Sequence, residues 1–207
     1  ITTIERAKRA ASEVTRMKVP KVSELIYPIM QALDEQYLNA DIQLGGLDQR
    51  HIMAFAREYL PKIGYKPKVE IMTPLIASLK GPGTKMSASI PETHLKVYDS
   101  EETIKKRIEK AYCPEGDIKD NPVIQLIQYL IFPIKGKLKI ERDKKFGGDI
   151  LFKDFEELKR IFIDKKLHPL DLKRALSLEL INLFSKVRKY FENNPGTLKG
   201  LNSSYNP

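Results

Sequence analysis

Tyr27, Gln31 and Asp34 stand at positions i, i+4 and i+7, so a helix over this stretch gathers a phenol, an amide and a carboxylate on one face. That is the equipment of hydrogen-bonded recognition. Ile26, Ile29, Met30 and Leu33 occupy the remaining faces, and a carboxylate beside so much apolar surface needs a partner. Periodicity leaves two readings open, the wall of a cavity or a solvated helix face. The stretch from Tyr27 to His51 is nevertheless too polar for a core segment and too structured for a loop.

Two further groups carry chemistry. A short strand at 40–44 runs into Gly45-Gly46, and Asp48, Gln49 and Arg50 open a helix that Pro61 stops. In open parallel sheets, ligands bind at such a βα turn, because helix N-termini and bare backbone amides converge there, and a glycine lets a ribose or phosphate come close. A tight structural turn accounts for the glycines equally well. The Gly/Pro loop from Leu79 to Ser89 holds Lys85, Met86, Ser87 and Ser89. A lysine with hydroxyls in such a loop can close over phosphates, although most loop lysines face water.

The elements that position these groups follow in order. Residues 2–16 read as a helix with Ala10, Ala11 and Val14 inward, and 23–38 as the helix of the polar row. Residues 69–76 form a second strand broken by Pro74. After Asp99 the pattern turns helical: Asp99 with Glu102 predicts a capping-box start to a helix ending near Tyr112, and Asn121-Pro122 opens one through Ile131. Residues 137–152 read as a hairpin with Phe146-Gly147-Gly148-Asp149 in its second half. Asp154 and Glu157 cap a helix to about Ile163, and His168-Pro169 opens the last, in which Asp171 complements the helix dipole. A polar tail follows from 192 to 207.

The 207 residues suffice for one large or two ordinary domains, and no apolar run has the length of a membrane helix. The single Cys113 cannot form an internal disulfide, which points to a reducing cytoplasmic home. The histidines and the cysteine lack metal-ligand spacing, so no structural metal is expected. The net charge of +9 favours a polyanionic partner. Residues 1–99 carry 14 Lys and Arg against 11 Asp and Glu, whereas residues 100–207 carry 22 against 16, so the C-terminal half is the more basic.

Read together, YPIMQALDEQYLNADIQLGGLDQRH, the KMSAS loop, KAYCPEG, KFGGD and LHPLDLK resemble the archaeal and eukaryotic tyrosyl-tRNA synthetases, collinearly from about Thr2 to about Tyr190. The resemblance implies the second half of a Rossmann-type parallel-sheet catalytic domain at 1–98, with its KMSKS-type loop at 80–90, followed by a mostly α-helical anticodon-binding domain with a small hairpin at 99–191. It implies ATP as substrate with Mg2+, and L-tyrosine and tRNA(Tyr) as partners, in a cytoplasmic homodimer. By this resemblance Tyr27, Gln31 and Gln49 hold the ammonium group of tyrosine, and Asp34 accepts from its phenol. A carboxylate left unpaired by phenylalanine rejects that analogue. Gly45, Gly46, Asp48 and Met86 belong to the ATP and adenylate pocket, and Lys85, Ser87 and Ser89 to the loop that stabilises departing pyrophosphate. Ala88 stands where a second lysine is usual, which shifts weight to Lys85. Arg9 and Arg50 fall to the acceptor stem, and Phe146, His168 and Asp171 to the anticodon, where a ring and a His–Asp pair can read an unpaired guanine. The HIGH-type motif and first βα turn do not occur in these residues, and Ile1 is not Met, so a preceding part on the order of a hundred residues is expected. Two alternatives are a tryptophanyl-tRNA synthetase and a non-catalytic tRNA-binding protein derived from a synthetase.

Overall fold

The computed structural model describes residues 2–12, 21–83, 86 and 90–198. Lys85, Ser87 and Ser89, and Val14 of the helix expected at 2–16, lie outside the described residues. The protein is a helix-rich α/β chain with a small parallel sheet, and packing divides it into two compact units between Leu75 and Ile76.

In the first unit, α1 (Ile4–Ala11) begins where the Thr3 hydroxyl accepts from the Arg6 N–H at 3.2 Å. Its buried face is the expected Ala10 and Ala11 together with Ala7. Helix α2 (Val22–Tyr37) starts as the Lys21 N–H donates to the Glu24 carboxylate at 2.8 Å, and it continues through Pro28. Strand β1 (Ile42–Gly46) pairs in parallel with β2 (Val69–Thr73), Ile42 opposite Val69 and Gly46 opposite Thr73. Gly45 and Gly46 thus belong to the strand itself, because their backbone pairs with Met72 and Thr73. Strand alternation leaves Ile42, Leu44, Val69 and Ile71 exposed on one sheet face and puts Gln43 and Glu70 on the other. A 3-10 turn (Leu47–Gln49) leads into α3 (Arg50–Tyr59), which packs Phe55, Ala56 and the following Leu60 on Ala10 and Ala32.

The second unit holds the larger core. Leu79 belongs to that core, its N–H donates to the Thr93 carbonyl at 3.0 Å, and its own carbonyl accepts from Tyr112 at 2.7 Å. These contacts tie residues 76–98 to the helical unit, which is why packing divides the chain earlier than the 98/99 boundary expected from sequence. Helix α4 (Glu101–Lys110) is capped by Ser100, not Asp99. Asp99 is occupied elsewhere, accepting from the Lys96 N–H and the Arg107 guanidinium, both at 2.7 Å.

Asn121 caps α5 (Pro122–Leu126), which runs on through a π turn at Ile127–Ile131 into α6 (Phe132–Lys135). The helix therefore passes the expected end at Ile131, the wider turn accommodating Pro133, which has no N–H to give. Strands β3 (Leu138–Ile140) and β4 (Ile150–Phe152) form the expected antiparallel hairpin, and Phe146-Gly147-Gly148-Asp149 lie in the connection just before its second strand. Gly147 and Gly148 take φ values of 95° and 71°, which a side chain would resist. Helix α7 (Phe155–Ile163) is capped by Asp154, and α8 (Pro169–Asn193) by His168.

Asn121 is fully buried; its side-chain oxygen accepts from Val123 and Ile124 N–H groups and its amide donates to the Asp117 carbonyl. Asn121→Ala is expected to lower the unfolding free energy by about 2 kcal/mol, read from urea denaturation. An unchanged midpoint would show that the cap carries no stability.

Candidate functional site

In the first unit, α2 and the βα turn meet through one hydrogen bond: the Gln31 amide N–H donates to the Gln49 side-chain carbonyl at 3.0 Å. The Gln31 oxygen is buried and has no partner among the described residues, so it is an acceptor awaiting a donor. Tyr27 and Asp34 are exposed on the same helix, and their side chains have no hydrogen-bond partner among the described residues. Of the predicted row, the structure joins Gln31 to Gln49 and leaves Tyr27 and Asp34 open beside them. Gln31 is half-buried, whereas Tyr27 and Asp34 are exposed.

The backbone at β1's carboxyl end is crowded. A Cβ on Gly45 would meet Met53 Cε at 2.6 Å and Gln49 Cβ and Cγ at 3.3 Å, and one on Gly46 would meet Asp48 Oδ1 at 2.6 Å. Here the absence of side chains lets Gln49 and the Asp48 carboxylate fold back over the strand. Exposed Arg9 and Arg50 belong to neighbouring helix ends, since the Ser12 hydroxyl donates to the Arg9 carbonyl at 2.9 Å and lies 3.1 Å from His51 Nδ1. Met86 is exposed.

The sheet face that carries Gln43 and Glu70 holds a polar group that sequence reasoning missed. Glu35 of α2 is 4% exposed, and burial together with the Glu70 carboxylate pushes its pKa up to about 7, against the pull of Lys68 and Arg57. Burial also raises Glu70, whose carboxylate lies 3.4 Å from the Arg57 guanidinium. The available signal was Glu70 interrupting the apolar VEIM strand and Gln43 the strand opposite.

In the second unit a cavity of about 610 Å³ is lined by Phe146 and Asp171 together with Arg142, Asp143, Lys145 and Arg174, among others. Phe146 is 62% exposed on its turn, with the Lys145 ammonium 4.9 Å from the ring centre. The Arg142 guanidinium fixes the turn by donating to the Gly148 carbonyl at 3.1 Å. Lys139 and the Arg142 N–H hold the Asp149 carboxyl below the usual carboxylate range. His168 does not line this cavity. Its Nδ1 accepts from the Leu170 N–H at 3.2 Å, so the neutral ring carries its proton on Nε2, available to the outside. Arg142 and Arg174 are lining residues that the motifs did not single out. Among the described residues, no group of three or more His, Cys, Asp or Glu is placed to hold a metal ion, and no helix is long and apolar enough to cross a membrane.

A family model described as tRNA synthetases class I (W and Y) matches residues 1–185. The chain is 46% identical over 190 residues to the tyrosine–tRNA ligase of Archaeoglobus fulgidus, covering 91% of this chain and 58% of that protein. It is 41% identical over 202 residues to the cytoplasmic tyrosine–tRNA ligase of Danio rerio, covering 97% of this chain and 37% of that one. The crystal structure of the Archaeoglobus fulgidus tyrosyl-tRNA synthetase complexed with L-tyrosine matches with a TM-score of 0.79 at 45% identity, covering 91% of this chain and 59% of the other. The chain therefore spans less than two thirds of the length of each of these relatives.

Gly45→Ala is expected to displace Met53 and Gln49 and to cost about 1–3 kcal/mol of stability, measured by denaturant unfolding. Full retention of stability would show that the turn accepts a Cβ without rearrangement.

Proposed function

We propose, from the premise that this chain belongs to the class I tRNA synthetases of the W and Y group, that it serves tyrosine–tRNA ligation: activation of L-tyrosine by ATP with Mg2+, then transfer to the 3′ end of tRNA(Tyr). The observation that carries this reading is the joined pair Gln31–Gln49 beside open Tyr27 and Asp34. An amino-acid ammonium is a cluster of donors, and it fits the unpaired Gln31 oxygen with the Tyr27 hydroxyl and the Gln49 amide oxygen around it. A phenol offers the one donor that Asp34 lacks. Tyrosine satisfies both ends and phenylalanine leaves the carboxylate bare, which is the basis of discrimination. The relatives reported above carry tyrosine rather than tryptophan in their names, in keeping with a phenol at Asp34.

In this reading the tyrosine carboxylate attacks the α-phosphorus of ATP in line and pyrophosphate leaves. The tRNA hydroxyl then attacks the adenylate carbonyl and AMP leaves. The chain's residues position and neutralise, without a covalent intermediate. Gly45, Gly46, Asp48 and Met86 line the adenylate side, and Lys85 with Ser87 and Ser89 meets the pyrophosphate charge. Residues 1–98 are the second half of a Rossmann catalytic domain and 99–191 an anticodon-binding domain. Arg9 and Arg50 would meet acceptor-stem phosphates or bases. At the anticodon, Phe146 offers a stacking face, Asp171 an acceptor and His168 Nε2 a donor, the set that an unpaired guanine requires. A cytoplasmic homodimer is the assembly we assign to it.

Tyrosine-dependent exchange of pyrophosphate into ATP by the complete protein tests the assignment, and its absence would sink it. Asp34→Ala is expected to abolish that exchange, whereas His168→Ala leaves exchange intact and weakens tRNA charging roughly 10-fold or more. Equal loss of exchange in both variants would contradict the division of labour.

A further inference from the structure

We propose that Glu35 is a positioning residue for the α2 row, its carboxyl group donating a hydrogen bond into the acceptors of Glu70 and Gln43 on the buried sheet face. The inference rests on the reading of α2 as a substrate wall and adds a proton to it.

The geometry is a shortage of donors. Both Glu35 carboxyl oxygens, one Glu70 oxygen and the Gln43 oxygen are buried with no partner among the described residues. Gln43 and Glu70 stand directly opposite each other in the β1–β2 register, on the same face. The groups facing Glu35 are the Glu70 carboxylate from β2 and the cations Arg57 of α3 and Lys68 just before β2. Arg57 pairs with Glu70 at 3.4 Å and is itself largely exposed, and among the described residues neither it nor Lys68 gives the Glu35 oxygens a hydrogen bond. Two neighbouring buried carboxylates do not both ionise readily, and one proton turns an acceptor into the missing donor. Glu70 has the guanidinium, so the proton belongs to Glu35. Burial and the Glu70 charge hold it there up to a pH of about 7.

The consequence for recognition follows from helix spacing. Glu35 is adjacent to Asp34 and four residues after Gln31, so the bond that seats Glu35 on the sheet sets the roll of the helix that presents both. Ionisation puts a second bare carboxylate under α2 and loosens that seat. Glu35 ordinarily titrates near 4.5 and is raised in the folded chain, so its stabilising contribution is full below that value and is lost as pH rises through about 7.

The test follows thermal unfolding of the complete protein and the tyrosine KM in pyrophosphate exchange, both from about pH 5 to about pH 8. The unvaried protein is expected to lose stability and to show a several-fold rise in KM over this range, with kcat less affected. Glu35→Gln keeps a donor that does not titrate, so both slopes should flatten; Glu70→Gln removes the charge that raises Glu35, so the transition should move to lower pH, and a transition that stays in place or moves up would overturn the proposal. A Glu35→Gln protein with the original unfolding slope would place the proton elsewhere and overturn the proposal. A flattened unfolding slope with an unchanged KM slope would make Glu35 purely structural and overturn its positioning role. Absence of exchange at every pH overturns the ligase reading and the positioning role with it, while the unfolding slope separately decides who holds the proton.

Discussion

The bond from the Gln31 amide to the Gln49 carbonyl, at 3.0 Å, is the point on which the first unit's chemistry turns. It joins a helix to the turn that follows β1, two segments brought together by the alanine-rich contact of α1, α2 and α3. Small residues at that contact let the helices approach, and the approach carries Gln31 to Gln49. The same close packing needs Gly45, because a side chain there would occupy the space of Met53 and Gln49. Four residues on from Gln31 and on the same side of α2, Glu35 is buried with its carboxyl oxygens unpaired among the described residues. The row is fixed without being covered.

The second unit solves a different problem by the same means. Its core of branched aliphatic and aromatic side chains holds α4, α5, α7 and α8 with the β3–β4 hairpin. On this frame an exposed Phe146 is presented by a turn that Arg142 and two left-handed glycines hold in shape. The exposed ring stands at a cavity edged with Arg142, Lys145 and Arg174, which in the proposed reading offers a base a stacking face and its phosphate a cation.

Much of this was legible in the residues. The i, i+4, i+7 spacing placed the row on α2, the apolar runs gave both parallel strands, and Asn-Pro and His-Pro marked two helix starts that Asn121 and His168 indeed cap. What stayed hidden depended on contacts between distant segments. Asp99 has the right spacing for a cap but is taken by Arg107, and Ser100 caps instead. The resemblance puts residues 76–98 with the catalytic half, and their packing through Leu79 on the helical core depends on contacts with distant residues. Glu35 sits in a stretch of ordinary helical polarity, and only folding buries it and brings the Glu70 carboxylate close enough to raise it. Phe146 and Asp171 are 25 positions apart, and the cavity that unites them exists only once the hairpin folds onto the start of α8.

The central claim is that the open row of α2 is the wall that recognises tyrosine, and a crystal structure of the complete protein with a non-hydrolysable tyrosyl-adenylate analogue tests it most directly. The phenol oxygen is expected within about 3 Å of the Asp34 carboxylate, with the ammonium group among Tyr27, Gln31 and Gln49. An analogue bound elsewhere, with Asp34 and Tyr27 still facing solvent, would contradict it.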